Sequence, residues 1–443
     1  MTIQLSDHFN YRRLLRFVLP SVAMMVFSSI YGIVDGFFVS NFVGKTPFAA
    51  VNFIMPFLMI LGAFGFMFGT GGSALVSKTM GEGDEAKANR LFSMLVYISA
   101  GLGVLVAVLG ILFIRPIALF LGAEGELLEG CVLYGRIILA ALPFFMLQME
   151  FQSFFVTAEK PQLGFWATVA AGVTNMVLDA LFMAVFDWGL VGAAVATALS
   201  QAVGGILPLV YFGRRNDSRL RLTRADFDGK ALLKTCTNGS SELMSNVSMS
   251  LVGMLYNFQL MKYAGEDGVA AYGVLMYVCF IFIATFIGYS IGVAPIIGYH
   301  YGAENYGELK NILKKSVVLL SVCSVSMVGL SLLLAKPLSL LYVGYDEALF
   351  AMTFRGFIFC SFSFLFSGFA IFGSGFFTAL NNGLVSAVMS FLRTVLFQVT
   401  SILLLPLVWE LDGIWLSVVV ADLAAALVAV AFLTALRKRY RYG

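Results

Sequence analysis

Four side chains that carry oxygen ligands stand in stretches of sequence that are otherwise apolar: Asp35, Asn175, Asp179 and Thr197. Asp35 lies in IYGIVDGFFV, Asn175 and Asp179 lie in NMVLDALF, and Thr197 lies in AAVATALS. Carboxylate, amide and hydroxyl oxygens can bind a proton or coordinate a hard cation such as Na⁺. Two neighbouring carboxylates repel each other when both are ionised, so one of them holds a proton more readily. Such a pair suits a site that takes up a proton. These residues are therefore candidates for a cation-coupling site that uses either H⁺ or Na⁺.

The composition indicates which elements must position these residues. The 443 residues are 60% hydrophobic and 12% charged, with a mean hydropathy of +0.91, whereas a soluble protein has roughly a quarter charged residues. Apolar segments of about 20 residues or more fit membrane-spanning helices and lack the alternation of barrel strands. The first such run, Leu14 to Val43, is too long for a cleaved signal and is interpreted as a retained span. We predict an all-α polytopic membrane protein.

The apolar pattern predicts about twelve spans, numbered here 1 to 12 in chain order. Their bounds are 15–42, 48–76, 92–113, 129–157, 163–186, 190–212, 236–262, 268–297, 315–334, 346–378, 384–408 and 413–436.

The distribution of basic residues predicts the orientation of these spans. Basic residues cluster before span 1, between spans 2 and 3, between spans 6 and 7, after span 8 and after span 12. The alternate connections hold one basic residue or none, namely Lys45, Arg115, Lys262 and Lys336. Because basic connections stay inside, we expect both termini in the cytoplasm. The basic runs are interpreted as orientation signals, and no nucleic-acid partner is expected.

The chain repeats itself at a constant offset of 221 residues, for example 302 − 81. The matching pairs fall on loops and helix ends: Gly44 with Gly265, Ala49 with Ala270, Gly81 with Gly302, Pro116 with Pro337, and Thr157-Ala158 with Thr378-Ala379. Six spans in each half make the halves parallel repeats, related by a pseudo-two-fold axis along the membrane normal. Two like bundles leave a central cleft, and rocking around that cleft favours a carrier over a pore.

This repeat predicts the domain organisation. We expect an N-terminal six-helix bundle over 1–213, a cytoplasmic linker over 214–235 and a C-terminal six-helix bundle over 236–443.

The four candidate ligands have similar predicted depths. Asp35, Asp179 and Thr197 each lie about eight residues from the outer end of a span, roughly 12 Å deep at 1.5 Å per residue. Asn175 shares a helix face with Asp179, one turn deeper. The alternative is a structural cluster whose hydrogen bonds lock the N-terminal bundle. At the 221-residue offset the other half has Tyr, Leu and Thr in place of Asp35, Asn175 and Asp179, and this asymmetry favours a coupling role.

Other polar residues in the spans are candidates for the substrate cleft. Glu242, near the inner start of span 7, and Asn246 one turn later would attract lipophilic cations. Glu242 fits equally well as a solvated carboxylate at a helix N-terminus. Glu150, Tyr31 and Tyr256 are weaker candidates for the same cleft.

Arg393 in span 11 and Asp422 in span 12 lie deep in neighbouring antiparallel spans. We interpret them as a structural ion pair, and the alternative is a second gating or coupling element in the C-terminal bundle. The 43 Phe, 20 Met and 17 Tyr suit an adaptable apolar pocket and ordinary packing equally. The five cysteines show no CxxC spacing, and we expect no cofactor beyond the coupling ion.

The chain resembles the MATE (multidrug and toxic compound extrusion) family, and within it a MepA-like bacterial branch. The resemblance covers essentially the whole length and rests on YGIVDGFFVSNFVG in span 1, on NMVLD followed 18 residues later by Thr197, and on FFVTAEKP before span 5. It implies that Asp35, Asn175, Asp179 and Thr197 form a cation site in the N-terminal half. It also implies that Glu242 corresponds to the acidic residue of span 7 in NorM-type members. The second acidic residue of that branch has no match in span 10, which reads FCSFSFLFSGFAIFGSGFF.

Membership would imply an antiporter of the bacterial cytoplasmic membrane, in which inward movement of H⁺ or Na⁺ drives export of amphipathic, often cationic, small molecules by rocker-switch alternating access. We expect a monomer. We do not expect an enzyme, since neither His8 nor His300 lies deep in a span. The main alternative is a flippase for lipid-linked saccharides. It would line its cleft with many cationic residues, whereas the spans here hold few, chiefly Arg355 and Arg393.

Overall fold

Every predicted span is helical in the computed structural model, which describes residues 3–442. Lys45 is one of the basic residues used to predict the orientation, and its side chain is not among the parts that the structure describes. Eleven helices are long and apolar enough to cross a membrane by length and composition, and the described residues contain no strand. The predicted all-α polytopic fold is confirmed.

Most helices extend beyond the apolar cores that hydropathy detects. Spans 1 to 6 are Tyr11–Phe42, Lys45–Gly81, Glu85–Phe120, Gly125–Thr157, Pro161–Asp179 continued by the π-helix Ala180–Val185, and Gly189–Gly213. Spans 7 and 8 share the run Gly229–Gly302, followed by span 9 (Tyr306–Val343) and span 10 (Glu347–Ala379). Span 11 comprises Gly383–Phe391, the π-helix Leu392–Phe397 and Gln398–Leu404, and span 12 lies in Pro406–Ala435. Span 7 thus begins at Gly229, within the segment predicted as a linker.

One sharp turn, inside the longest helical run, accounts for the difference between eleven long helices and twelve predicted spans. The run Gly229–Gly302 has 74 residues, which at about 1.5 Å per residue is far longer than a hydrocarbon core of about 30 Å. The chain turns at Gly265, whose φ of 64° is accessible to glycine without steric cost. A second turn occurs at Glu410, with φ 49°. The first turn separates span 7 from span 8, and the second separates span 11 from span 12.

The repeat extends to the details of helix capping. Asp84 caps span 3 by accepting a hydrogen bond from the backbone N–H three residues later, and Asn305 caps span 9 in the same way. The two caps are related by the same offset, 305 − 84 = 221. The residue before each cap has a positive φ, 87° at Gly83 and 54° at Glu304. The halves therefore share local backbone conformation as well as hydrophobic pattern.

Both ends of the chain and the connection 214–228 gather at one end of the molecule, called here the inner end. The N-terminal segment joins the two halves there: Leu5 N–H donates to Glu159 Oε1 (2.8 Å) in the N-terminal half, and Phe9 N–H donates to Glu308 Oε1 (2.9 Å) in the C-terminal half. Arg219 of the connection also pairs with Glu159, at 3.2 Å. These hydrogen bonds hold the inner ends of the bundles together.

Close backbone packing between the halves also occurs at the inner end, where spans 1 and 2 contact spans 7 and 8. A Cβ added to Gly81 would collide with the carbonyl of Tyr299, and one added to Gly302 would collide with the carbonyl of Lys78. The two contacts are equivalent by the repeat, since 302 − 81 and 299 − 78 both equal 221. Only glycine permits this approach, so the pseudo-two-fold axis passes through a glycine-mediated seam.

Candidate functional site

The first two candidate ligands are positioned by spans 1 and 5. Asp35 lies seven residues before the end of Tyr11–Phe42. Asp179 is the last α-helical residue before the π-helix Ala180–Val185, and Asn175 lies one turn earlier on the same helix. A π-helical turn re-aims the side chains next to it and is common at functional sites.

The structure brings the four predicted residues together. Asp35 faces Asp179, Asn175 and Thr197. Asp179 is 0% exposed and Asn175 is 2% exposed, whereas Asp35 and Thr197 are half-buried. Residues from spans 1, 5 and 6 thus converge on one buried position in the N-terminal half.

The oxygens of this cluster are not satisfied by one another. Asp35 Oδ1, both carboxylate oxygens of Asp179, Asn175 Oδ1 and Thr197 Oγ1 are buried and have no hydrogen-bond partner among the described residues. A buried polar group without a partner costs about 1–3 kcal/mol. A set of convergent, unpaired oxygens is chemically suited to a proton or a hard cation.

Sequence reasoning missed two residues next to this cluster. Tyr134 in span 4 is 1% exposed, and its ring lies beside Thr197 and both carboxylates. Its hydroxyl lies 3.8 Å from Met55 Sδ. Gln201, one turn after Thr197, has a buried Oε1 without a partner. A tyrosine and a glutamine within apolar helices were the available signals.

Of the predicted cleft residues, two lie inside the N-terminal bundle. Tyr31, one turn before Asp35, lies beside Asp35 and Gln148, which places it next to the cation cluster. Glu150 is 0% exposed, lies near Ser99, and has neither carboxylate oxygen hydrogen-bonded. Glu150 is thus fully buried in this structure, and its assignment to the cleft stays a prediction.

Tyr256 is buried and packs against neighbouring side chains. It is 3% exposed, its hydroxyl is 2.6 Å from Ser417 Oγ, and its ring stacks on Tyr272 with centroids 5.2 Å apart. Glu242 and Asn246 are half-buried on one face of span 7, and Asn246 Nδ2 donates to the Glu242 backbone carbonyl at 2.8 Å. Glu242 and Asn246, like Tyr31, therefore keep partly accessible polar side chains.

Arg393 and Asp422 are brought together in the C-terminal half. Arg393 Nε lies 3.3 Å from Asp422 Oδ1, and Ser367 Oγ donates to the other carboxylate oxygen. Arg355, by contrast, forms an exposed pair with Asp412.

Known proteins are similar to this chain over nearly its whole length. A family model described as MatE matches the chain twice, over residues 20–181 and 243–403. The multidrug export protein MepA of Staphylococcus haemolyticus (strain JCSC1435) is 26% identical over 97% of this chain and 94% of that protein.

Two solved structures share the fold. A multidrug resistance MATE family transporter of the MOP superfamily in an outward-facing conformation superposes with a TM-score of 0.93 at 22% identity, covering 100% of this chain and 99% of that chain. The crystal structure of MATE in complex with MaL6 superposes with a TM-score of 0.93 at 21% identity, covering 98% of each chain. The arrangement of two parallel six-helix bundles is therefore shared with these transporters.

Proposed function

The chain belongs to the MatE family, and from that premise we propose that it is a cation-coupled antiporter that exports amphipathic, often cationic, small molecules. The relatives named multidrug export protein MepA support the export of drugs. The observation that carries the coupling is the set of unpaired, convergent oxygens of Asp35, Asn175, Asp179 and Thr197.

The proposed cycle uses the two halves as rigid bundles. Substrate enters the central cleft while it is open to the cytoplasm, and the bundles rock to open it outside. H⁺ or Na⁺ then binds at Asp35 and Asp179, span 1 repacks, and the pocket contracts. The glycine seam at Gly81 and Gly302 and the N-terminal hydrogen bonds to Glu159 and Glu308 are the inner contacts that such rocking would break.

The same proposal includes the placement of the protein. The chain would act as a monomer in the bacterial cytoplasmic membrane with both termini inside, and it would use no cofactor besides its coupling ion. The domains would divide at the 214–235 linker, of which 214–228 precedes the helix that starts at Gly229.

The test is substitution of Asp35 by Asn. We expect Asp35→Asn to abolish drug resistance in an efflux-deficient host while the protein level in the membrane stays unchanged. Asp187→Asn, in the exposed turn after span 5, is the matched control and should retain resistance. Full resistance in Asp35→Asn would rule out the coupling role. Collapsing the proton and Na⁺ gradients separately would then identify the ion.

The flippase for lipid-linked saccharides ranks second. Of the two intramembrane arginines expected to serve it, Arg393 is paired with Asp422 and Arg355 with Asp412, which leaves neither free for a pyrophosphate. Translocation of a lipid-linked saccharide by purified protein in liposomes, without drug-stimulated cation flux, would favour the flippase.

A further inference from the structure

We propose that the connection 214–228 and the inner end of span 3 form a preformed binding site for the phosphate headgroup of an anionic phospholipid. The site is an open cavity of about 640 Å³ at the inner end of the molecule. The guanidinium groups that would bind the phosphate are those of Arg90, Arg221 and Arg224, which line this cavity. The inference concerns a lipid ligand and does not depend on the coupling ion or on the exported substrate.

The first support is the charge of the cavity. Both acids that line it are already paired, Glu85 with Arg219 at 2.5 Å and Asp217 with Lys160 at 2.8 Å. The three arginines named above are exposed and pair with no carboxylate among residues 3–442. Like charges around one cavity repel one another, and an anion between them relieves that repulsion. The planar guanidinium matches the oxygens of a phosphate, so phosphate is the anion that these side chains fit.

The second support is the way in which span 3 holds the connection. Asn89, Ser93 and Tyr97 recur every fourth residue, so they share one face of the helix. Asn89 Oδ1 accepts from the Arg221 N–H at 2.6 Å. Thr223 is held twice, since its N–H donates to Ser93 Oγ at 2.8 Å and its carbonyl accepts from Tyr97 OH at 3.1 Å. A segment that is ordered before the ligand arrives loses less conformational entropy on binding.

The third support is the height of the cavity relative to the membrane. The apolar core predicted for span 3 begins at residue 92, so Arg90 lies about 3 Å outside it at 1.5 Å per residue. That is the level of the lipid headgroups. Two aromatic side chains present apolar surface nearby: Tyr97 is 50% exposed, and Phe227, three residues after Arg224, is 74% exposed. Aromatic rings at this level contact lipid, so the surroundings of the arginines favour a lipid phosphate over a soluble one.

The first arm of the test measures lipid binding to purified full-length protein by native mass spectrometry, with phosphatidylglycerol or phosphatidylcholine added to the detergent micelles. We expect phosphatidylglycerol to bind more tightly, and R90Q/R221Q to weaken its binding by about tenfold. R12Q/R16Q is the matched control, because it removes two exposed arginines of the inner end that do not line the cavity. This control should bind as the unmodified protein does. No preference for phosphatidylglycerol, or an equal effect of the two double variants, would overturn the proposal.

The second arm leaves every arginine in place. N89A removes the acceptor that holds the backbone of Arg221, so phosphatidylglycerol should bind several-fold more weakly, because the connection is then ordered only on binding. N52A is the matched control, since Asn52 Nδ2 donates within its own helix to the Phe48 carbonyl at 3.1 Å, and its binding should not change. Unchanged binding in N89A would overturn the preformed site.

The third arm separates a lipid from a soluble phosphate. Glycerol 3-phosphate has the phosphate without the acyl chains, so even a large excess should displace little phosphatidylglycerol, while F227A should weaken binding of the lipid. Full displacement by glycerol 3-phosphate, with no effect of F227A, would assign the cavity to a soluble phosphate and overturn the lipid. No arm measures export, so these outcomes are distinguishable from failure of Asp35→Asn to abolish resistance.

Discussion

Arg393 Nε lies 3.3 Å from Asp422 Oδ1, so this buried carboxylate of the C-terminal half is paired within that half. Asp179, in the span of the N-terminal half that is equivalent to that of Arg393, has two carboxylate oxygens without a partner. The two halves share helix ends, caps and a glycine seam, yet they differ in charge at their polar centres. The two halves therefore repeat their backbone and differ in the charges at their polar centres.

Removing the hydroxyl of Tyr134 should weaken cation binding without abolishing it. Tyr134 lies beside Thr197 and both carboxylates, and one neutral hydrogen bond contributes about 0.5–1.5 kcal/mol. Tyr134→Phe should therefore raise the cation concentration for half-maximal drug export several-fold. Tyr289→Phe removes a hydroxyl that lies 2.8 Å from Ser316 in the other half and should leave this concentration unchanged. Equal effects of both variants would argue against a local role for Tyr134.

Substituting either glycine of the seam should open the inner end. A Cβ at Gly81 or Gly302 would collide with a backbone carbonyl of the other half, and backbone cannot move aside as a side chain can. We expect Gly81→Ala and Gly302→Ala to increase labelling of cysteines introduced along the inner part of span 2 and to reduce export. Gly101→Ala is the control, because a Cβ there meets nothing within 4 Å. Unaltered labelling in both variants would contradict the assigned seam.

Neutralising Glu308 should weaken the N-terminal connection between the halves. Glu308 accepts from the backbone of Phe9 at 2.9 Å and contacts His8 Nδ1 at 2.6 Å. Hydrogen bonds to a charged group contribute about 1.5–3 kcal/mol, so Glu308→Gln should increase proteolysis of the N-terminal segment and favour opening of the inner end. Glu304→Gln, in the exposed turn just before span 9, should have neither effect.

Replacing Glu150 by Gln should leave thermal stability within about 1 kcal/mol of the parent, since both carboxylate oxygens are buried without a partner and the amide has the same shape. Glu150→Lys should prevent accumulation in the membrane, because an isolated buried charge is far more costly. The melting temperature in detergent and the amount of protein in the membrane are the measurements. A loss of several kcal/mol in Glu150→Gln would indicate that the carboxylate has a charged partner.

Much of the fold could be predicted because its signals are local. Twelve spans, the 221-residue repeat and the turn at Gly265 follow from hydropathy and from glycine positions, and the family model that matches each half agrees. The ends of the helices were predicted less accurately. Span 3 was predicted over 92–113 and occupies Glu85–Phe120, because the polar caps that terminate it lie outside the apolar core that hydropathy detects.

The residue types of the site could be predicted from the sequence, but the full set of contacts around them could not. Asp35, Asn175, Asp179 and Thr197 stand out because polar residues in apolar helices are rare and costly. Tyr134 does not stand out, since tyrosine is common at helix packing surfaces. Glu150 was predicted to line the cleft, and the sequence did not indicate that its side chain is fully buried in this structure.

The sequence by itself determined that lipid surrounds this protein, that it has two parallel halves, and that Asp35 and Asp179 stand in apolar helices of the same half. Those properties depend on composition, spacing and charge along the chain. Tertiary structure alone decided that Tyr134 lies next to Thr197 and that Gly81 and Gly302 form the seam. The physical reason is that depth in a span follows from residue number, whereas a side chain's partner depends on how neighbouring helices are rotated and packed.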